Sequence, residues 1–213
     1  MKTKLLLNST IFMLLISINL NAGRLSYGFK TGFNYNKLNY KKGAIYELKE
    51  CSYPPGFQLG VYSNTKFTNN FSFINEINFL KLNSKALIMD DTDIIKQNIN
   101  MLYIDLPILL QYAPPLRFVP YLFGGPCLGY LIQANYSADA AFSNLNTYDG
   151  LDITKELPSF NLSLEFGAGK TIKISTIFFL FEIKGQIWIT KYKLPFTPEW
   201  TNKSIQFLFG SKF

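Results

Sequence analysis

Apolar and polar residues alternate through most of this chain, and that period of two limits the possible folds more than any other feature. Between residues 160 and 168 every second residue is apolar, and the residues between them are Asn, Ser, Glu and Gly. Strand side chains point alternately to opposite faces, whereas a helix repeats its apolar positions about every 3.6 residues. After residue 22 no apolar stripe of helical period extends over a useful length. We therefore predict an all-β protein.

The same alternation predicts eight strands, near residues 24–36, 55–67, 71–82, 99–112, 118–131, 159–173, 177–188 and 202–213. The connections between them are alternately long and short. Long loops are predicted at 37–54, 83–98, 132–158 and 189–201, and tight turns at 68–70, 113–117 and 174–176. In an up-and-down sheet all connections of one kind lie at one end, so the long loops would cluster opposite the turns.

These features together predict an eight-stranded antiparallel up-and-down transmembrane β-barrel in the bacterial outer membrane. Such barrels combine an apolar outward face with short periplasmic turns and longer outer loops. Aromatic residues fall near the predicted strand ends, where interfacial girdles occur: Tyr27, Tyr35, Tyr112, Tyr130 and Trp188. After residue 22 there is no apolar run of about 20 residues, so strands would be the only means of crossing a bilayer.

Residues 1–22 have the composition of a secretory signal peptide. Lys2 and Lys4 form a basic start, a mostly apolar run follows to Leu20, and Ala22 offers a small residue at the cleavage point. A membrane anchor is the alternative, but Asn8, Ser9 and Thr10 interrupt the run. We predict a signal peptide at 1–22 and a single barrel domain at 23–213.

A soluble, lipocalin-like barrel would also show alternating strands. Its apolar side chains would point inward, and its outward face would be charged. In this chain the non-apolar face carries glycine, serine and asparagine more often than lysine or glutamate. That composition suits a narrow lumen better than a solvated exterior.

Composition argues against several classes of function. The 213 residues include no histidine, so the usual general base and the commonest metal ligand are missing. The net charge of +7 is mild, and no basic cluster is interleaved with aromatic residues as nucleic-acid binding would require. Cys51 and Cys127 could pair in an oxidising compartment, but two thiols leave this open. We expect no enzymatic activity, no cofactor, no metal site and no nucleic-acid partner.

Six charged residues are predicted to face the lumen near mid-height: Lys30, Glu76, Asp105, Glu165, Glu182 and Lys184. Four carboxylates grouped in this way could be read as catalytic. However, the interior of an eight-stranded barrel is just wide enough for side chains to fill it. A plug of salt bridges is therefore the preferred interpretation, with an excess of carboxylates over lysines.

Two short motifs resemble ligand sites but have simpler explanations. The stretch GAGKT at 167–171 looks like the end of a phosphate-binding loop, but residue 164 is leucine where the motif needs glycine, and no helix is predicted to follow. The stretch MDDTD at 89–93 lacks the glycine and terminal glutamate of an EF-hand. A weak Ca²⁺ or lipopolysaccharide-bridging site is the alternative there to a solvated loop.

Several segments resemble the PorT-type outer-membrane β-barrel proteins. These segments are GFQLGVYSNTKFTNNFSFINEINFL at 56–80, YIDLPILLQY at 103–112, PYLFGGPCLGYLI at 120–132, LSLEFGAGKTIKI at 162–174 and the closing FLFGSKF. The resemblance extends over nearly all of residues 25–213 and is weakest in the long loops. It implies the barrel fold, and it suggests a role in secretion or surface export.

The last ten residues, SIQFLFGSKF, place Phe207, Phe209 and Phe213 on one alternating register. A closed barrel pairs its last strand with its first, so these rings would face lipid. By the resemblance, they also look like the signal through which barrel-assembly machinery recognises outer-membrane proteins. The predicted function is a scaffold or component of an envelope or secretion assembly, with envelope proteins and outer-membrane lipid as partners. The alternative is a surface receptor or adhesin that binds an external ligand through its long loops.

Overall fold

The computed structural model describes residues 25–40, 46–90, 93–116, 118–140, 148–193 and 199–213. The predicted signal peptide at 1–22 lies outside these residues. Within them are ten strands: β1 (Leu25–Tyr40), β2 (Tyr46–Ser52), β3 (Pro55–Lys66), β4 (Phe71–Asp90), β5 (Asp93–Tyr112), β6 (Tyr121–Ala140), β7 (Tyr148–Asp152), β8 (Phe160–Ile174), β9 (Ile177–Trp188) and β10 (Trp200–Lys212). None of the described residues forms a helix of the length and apolarity needed to cross a membrane.

Eight of these strands close into an antiparallel barrel, as predicted. The order around the barrel is β4-β3-β1-β10-β9-β8-β6-β5, and β5 pairs with β4 to complete the circle. The last strand pairs with the first along its length, from Gly28 opposite Lys212 to Tyr40 opposite Trp200. All strand pairs are antiparallel, so backbone groups within the bilayer are satisfied between neighbouring strands.

The alternation of residues sets the two faces of the barrel wall. Apolar side chains point outward along each strand, and in β8 Phe160, Leu162, Leu164 and Phe166 are all exposed. Tyr27, Tyr35, Tyr112 and Tyr130 are also exposed on the outward face, where interfacial residues are expected. The prediction is wrong for Trp188, which lies on the inward register of β9 and is buried in the lumen.

Three short connections lie together at one end of the barrel. They are residues 67–70, 113–120 and 175–176. The last is a two-residue turn in which Ser175 has a φ of 54°, a left-handed conformation that tight hairpins commonly require. In an outer-membrane barrel this end faces the periplasm.

The opposite end differs from the prediction, because residues 83–98 are not a loop. Strands β4 and β5 continue through this region, with Asp90 opposite Asp93, and β6 continues to Ala140. Strand β2 pairs with the extended part of β4, and β7 pairs with β6. We call β2, β7 and residues 83–90, 93–100 and 135–140 the outer sheet. The sequence pattern did not predict these strands, because a strand that extends beyond the bilayer does not need an apolar side chain at every second position.

Candidate functional site

A chain of ion pairs crosses the middle of the lumen. Lys30 Nζ lies 2.6 Å from Glu76 Oε1 and 2.8 Å from Glu182 Oε2. Lys184 Nζ lies 2.9 Å from Glu76 Oε2 and 2.8 Å from Glu165 Oε2. The order is therefore Glu182, Lys30, Glu76, Lys184, Glu165. All five side chains are almost completely buried, so water screens these charges very little.

Neighbouring polar groups donate further hydrogen bonds to two of these three carboxylates. Asn78 Nδ2 donates to Glu76 Oε2 over 2.9 Å, and the Tyr121 hydroxyl donates to Glu182 Oε1 over 2.8 Å. Lys30 Nζ also lies 4.7 Å from the centre of the Tyr62 ring, a cation–π geometry. The charges are thus held by fixed partners, as an ion-pair plug requires.

Glycines on adjacent strands make room for side chains in the lumen, including those of Lys30, Asp105 and Glu182. Nearly every charged lumen residue faces a glycine across the ladder: Lys30 faces Gly60 and Gly210, Asp105 faces Gly129, Glu165 faces Gly125, Glu182 faces Gly169 and Lys184 faces Gly167. A Cβ added at Gly169 would lie 2.7 Å from Glu182 Cγ. The glycines of GAGKT therefore have a packing role in the lumen.

Asp105 stands apart from the ion-pair chain. Among the described residues, no lysine or arginine lies within salt-bridge distance of its carboxylate. Instead Gln186 Nε2 donates to Asp105 Oδ2 over 3.0 Å, and also to Ser163 Oγ over 3.0 Å. The side-chain oxygen Oε1 of Gln186 accepts a hydrogen bond from Gln206 Nε2 over 3.1 Å. The structure thus brings five of the six predicted charged residues into ion pairs and links the sixth to an amide network.

Asp105, Cys127 and Glu165 are the described residues closest to a metal-binding arrangement. One donor atom from each lies within 4.8 Å of the other two, and all three residues are buried. However, Lys184 already lies against the Glu165 carboxylate, and the Gln186 amide already donates to Asp105. Cys127 is a free, buried thiol, and the side chain of Cys51 lies outside the described residues.

Above the ion pairs, an apolar cluster fills the outer half of the lumen. We call this the outer cluster: Leu38, Leu80, Leu82, Ile99, Met101, Tyr103, Leu131, Ala134, Ile153, Leu157, Trp188, Tyr192 and Trp200. The Tyr103 and Trp188 rings meet edge to face with centroids 4.9 Å apart, and Tyr103 Oη donates to Tyr192 Oη over 3.2 Å. Sequence reasoning expected a polar lumen throughout and missed this cluster. The available signal was the run Met101-Leu102-Tyr103, which is apolar on both faces.

The segment that follows β7 is fixed over the outer mouth of the barrel. Ile153 N donates to the Ala134 carbonyl over 2.9 Å, and Ala134 N donates to Thr154 Oγ1 over 2.8 Å. Thr154 N donates to Asp152 Oδ1 over 2.9 Å. Hydrogen bonds from Thr154 hold the pKa of the exposed Asp152 carboxyl below its ordinary value. This segment carries Ile153 and Leu157 into the outer cluster.

Below the ion pairs, the lumen opens into a cavity of about 330 Å³ at the short-turn end. Its lining includes the lumen-facing Lys66, Lys173 and Lys212, and Lys30 and Glu182 form part of its floor. From the short-turn end outward, the described lumen therefore contains a cavity lined by lysines and by a second apolar cluster, then the ion-pair layer, then the outer cluster. The second apolar cluster consists of Tyr62, Ile74, Leu109, Tyr121, Phe123 and Leu180.

The rings of Phe207, Phe209 and Phe213 all face outward, on the register given by the sequence. Phe213 N donates to the Tyr27 carbonyl over 2.8 Å, and its ring lies 6.1 Å from that of Phe29. These contacts attach the last residue to β1. A role for the three rings in recognition by assembly machinery stays a prediction.

Comparison with known proteins identifies one family and several solved structures of similar fold. The model of the family described as "Outer membrane protein beta-barrel domain" matches residues 16–187. A search of curated proteins finds no match to the chain.

Solved structures similar in fold include three small outer-membrane proteins. The OprG structure from Pseudomonas aeruginosa is 12% identical, with a TM-score of 0.49 over 88% of this chain and 95% of that chain. Ail of Yersinia pestis, solved with a heparin analogue, is 12% identical, with a TM-score of 0.46 over 90% of this chain and 100% of that chain. Neisserial surface protein A is 12% identical, with a TM-score of 0.43 over 89% of this chain and 98% of that chain.

Proposed function

Because this chain belongs to the outer membrane protein beta-barrel domain family and is therefore a protein of the bacterial outer membrane, we propose that it is an interaction protein whose outer sheet binds a protein partner. The barrel holds that sheet at the cell surface. Enzymatic and channel functions are not part of the proposal. The chain has no histidine, and the lumen carboxylates are tied into ion pairs or amide contacts.

The outer sheet is the observation that carries this proposal. It has the order β2-β4-β5-β6-β7, and among the described strands β2 pairs only with β4 while β7 pairs only with β6. Each end of the sheet therefore has an edge without a strand partner in the described chain. An extended segment of another protein can add to such an edge through backbone hydrogen bonds.

The preferred form of the proposal is a scaffold in an envelope or secretion assembly. A sealed barrel with a projecting sheet can anchor other proteins without passing solutes. The resemblance of 56–80, 103–112 and 120–132 to PorT-type proteins supports a secretion role. Insertion would involve the barrel-assembly machinery, and lipid would surround the outward face.

A surface receptor or adhesin is the second form, and it uses the same sheet. The exposed side chains of Lys85 and Lys96 lie on neighbouring strands of the outer sheet. They would present positive charge to a ligand outside the cell. The scaffold form predicts a partner within the cell envelope, whereas the receptor form predicts a ligand outside the cell. Co-purification and surface-binding measurements distinguish the two.

The test shortens the sheet and leaves the barrel unchanged. Leu87 is opposite Lys96 in the β4–β5 hairpin, so residues 87–96 can be replaced by Asn-Gly to join Ala86 and Gln97. Thr171→Ala, an exposed position near the short-turn end, is the control. Both variants are purified in mild detergent, and co-purifying envelope proteins are identified by mass spectrometry.

For a scaffold, we expect the hairpin variant to lose its envelope partners and to impair secretion, while Thr171→Ala retains both. Loss of binding to external surfaces, with secretion and envelope partners retained, would favour the receptor instead. If the hairpin variant retains envelope partners, secretion and surface binding, the β2–β4–β5 part of the outer sheet is not the interaction site and the proposal fails for that edge.

A further inference from the structure

Two lysines stand directly opposite each other on the membrane-facing side of the barrel. Lys37 of β1 pairs with Lys203 of β10, and both side chains are exposed on the outward register. Like charges that face each other across a ladder destabilise the sheet. Among the described residues, neither lysine has a carboxylate within salt-bridge distance. An anion placed between them would remove this repulsion.

Below the two lysines, the barrel wall has a groove. Four residues that pair directly across neighbouring strands form one row on the outward face: Phe166, Gly185, Ile205 and Tyr35. Gly185 has no side chain on this outward register, and the Phe166 ring leans over it, since a Cβ there would lie 2.9 Å from Phe166 Cε2 and Cζ. The wall is indented between the Phe166 ring and Ile205. The indentation belongs to a cavity of about 550 Å³, which Lys37, Lys203 and Tyr53 also line.

The position of the groove matches the boundary between hydrocarbon and headgroups. The next row toward the outer end contains Leu164, Ile187, Lys203 and Lys37. Beyond it the outward positions of β1 and β10 become polar, at Asn39 and Thr201. Apolar walls therefore lie on the bilayer side and both ammonium groups on the headgroup side. Lys37 Nζ also lies 5.8 Å from the ring of Tyr53, which borders the cavity.

We propose that this groove binds a lipid of the outer leaflet whose phosphate gives its headgroup a net negative charge. The phosphate lies between the ammonium groups of Lys37 and Lys203, and one acyl chain lies in the indentation between the Phe166 ring and Ile205. None of the lining residues that the structure describes is an aspartate or a glutamate, so their charge is complementary to an anion. Ammonium groups bind phosphate as point charges, and a flexible pair can enclose one phosphate.

The test measures lipid retention by native mass spectrometry on the full-length mature protein released from detergent micelles. The probes are dioleoylphosphatidic acid and dioleoylphosphatidylcholine, which share acyl chains and differ in net headgroup charge. The Lys37→Met/Lys203→Met variant removes the charge, and Gly185→Val fills the groove. Lys170→Met, at an outward lysine of the opposite end, is the matched control. A heat-modifiable gel band confirms that each variant is folded.

We expect the wild type and Lys170→Met to retain phosphatidic acid in preference to phosphatidylcholine. The double lysine variant should bind phosphatidic acid roughly 30-fold more weakly, because each basic residue near an anionic lipid surface contributes about 1 kcal/mol. Gly185→Val should also weaken retention, and inorganic phosphate should compete poorly because it has no chain to bury.

Equal retention of the two lipids by the wild type would overturn the proposal. So would an equal loss in Lys170→Met, because the effect would then depend on overall charge. If Gly185→Val retains phosphatidic acid as the wild type does, or inorganic phosphate displaces the lipid readily, the lysines bind free phosphate and the lipid assignment is wrong.

Discussion

At the scale of single residues, the lumen combines large charged side chains with glycines on the adjacent strands. Lys30 has Gly210 beside it on β10, where an added Cβ would lie 3.3 Å from Lys30 Cγ, so the lysine side chain has room to extend across the barrel. On the other side, Gly60 makes room for the Asn78 side chain. The inward position of these residues could be predicted from alternation alone. Which carboxylate meets which ammonium depends on the stagger between strands, and a single strand's sequence does not encode that stagger.

The ion-pair chain predicts unequal effects for an interior member, Lys184, and for an end member, Glu165. Lys184→Met leaves three carboxylates near one ammonium group, and breaking buried pairs in this way costs about 3–5 kcal/mol. Glu165→Gln leaves Glu76 and Glu182 facing Lys30 and Lys184, so we expect a smaller loss of about 1–3 kcal/mol. Urea unfolding followed by tryptophan fluorescence measures both.

The control and the double variant test whether the pairing itself is responsible. Lys191→Met breaks the exposed pair with Glu199 and should cost less than about 1 kcal/mol. The Glu165→Gln/Lys184→Met double variant should lose less stability than the two single losses added together. Additive losses would mean that the lumen is hydrated enough to screen these charges.

A glycine substitution tests the space beside Glu182. A Cβ at Gly169 would lie 2.5 Å from the Tyr121 ring, so Gly169→Val should destabilise the barrel by about 1–3 kcal/mol through overpacking. Gly124→Val is the matched control, because the nearest atom to a Cβ there is 3.3 Å away. Urea midpoints compare the two. Equal midpoints would show that Tyr121 and Glu182 move aside freely.

At the scale of strands, the outer sheet and the barrel wall should be separable. The barrel segment of β4 pairs with β3 from Lys81 to Ser72, whereas the extended part of β4 pairs with β5 and β2. Replacement of residues 87–96 by Asn-Gly should therefore leave a heat-modifiable band on an unboiled gel. If that band disappears, the hairpin tip is needed for the barrel itself to fold.

The membrane-crossing parts of the strands were predictable because lipid demands apolar residues at every second position. In β5, Leu106, Ile108 and Leu110 face outward while Asp105 and Leu109 face inward, as alternation indicated. Residues 83–98 gave no such signal, since their strands are held by pairing with each other outside the bilayer. The outer cluster was missed for a related reason: an inward leucine such as Leu82 is ambiguous until the opposite wall is known.

At the scale of the whole molecule, the outer cluster should prevent conduction. It contains Trp188, Trp200 and Tyr103, all almost fully buried, and the ion pairs lie directly beneath it. Planar-bilayer recordings of the wild type should therefore show no stable open channel. Large, steady conductance would mean that the seal opens in the membrane and that the protein is a pore.

The outer cluster also bears on the sequence of events by which the protein assembles. Its side chains come from most of the barrel strands and from residues 153 and 157, which are far apart along the chain and meet only in the closed circle. An unclosed sheet would leave these side chains exposed, so closure of the circle and drying of its interior should occur as one cooperative step. Both tryptophans of the chain lie in this cluster, and their fluorescence would time that step during refolding into lipid vesicles.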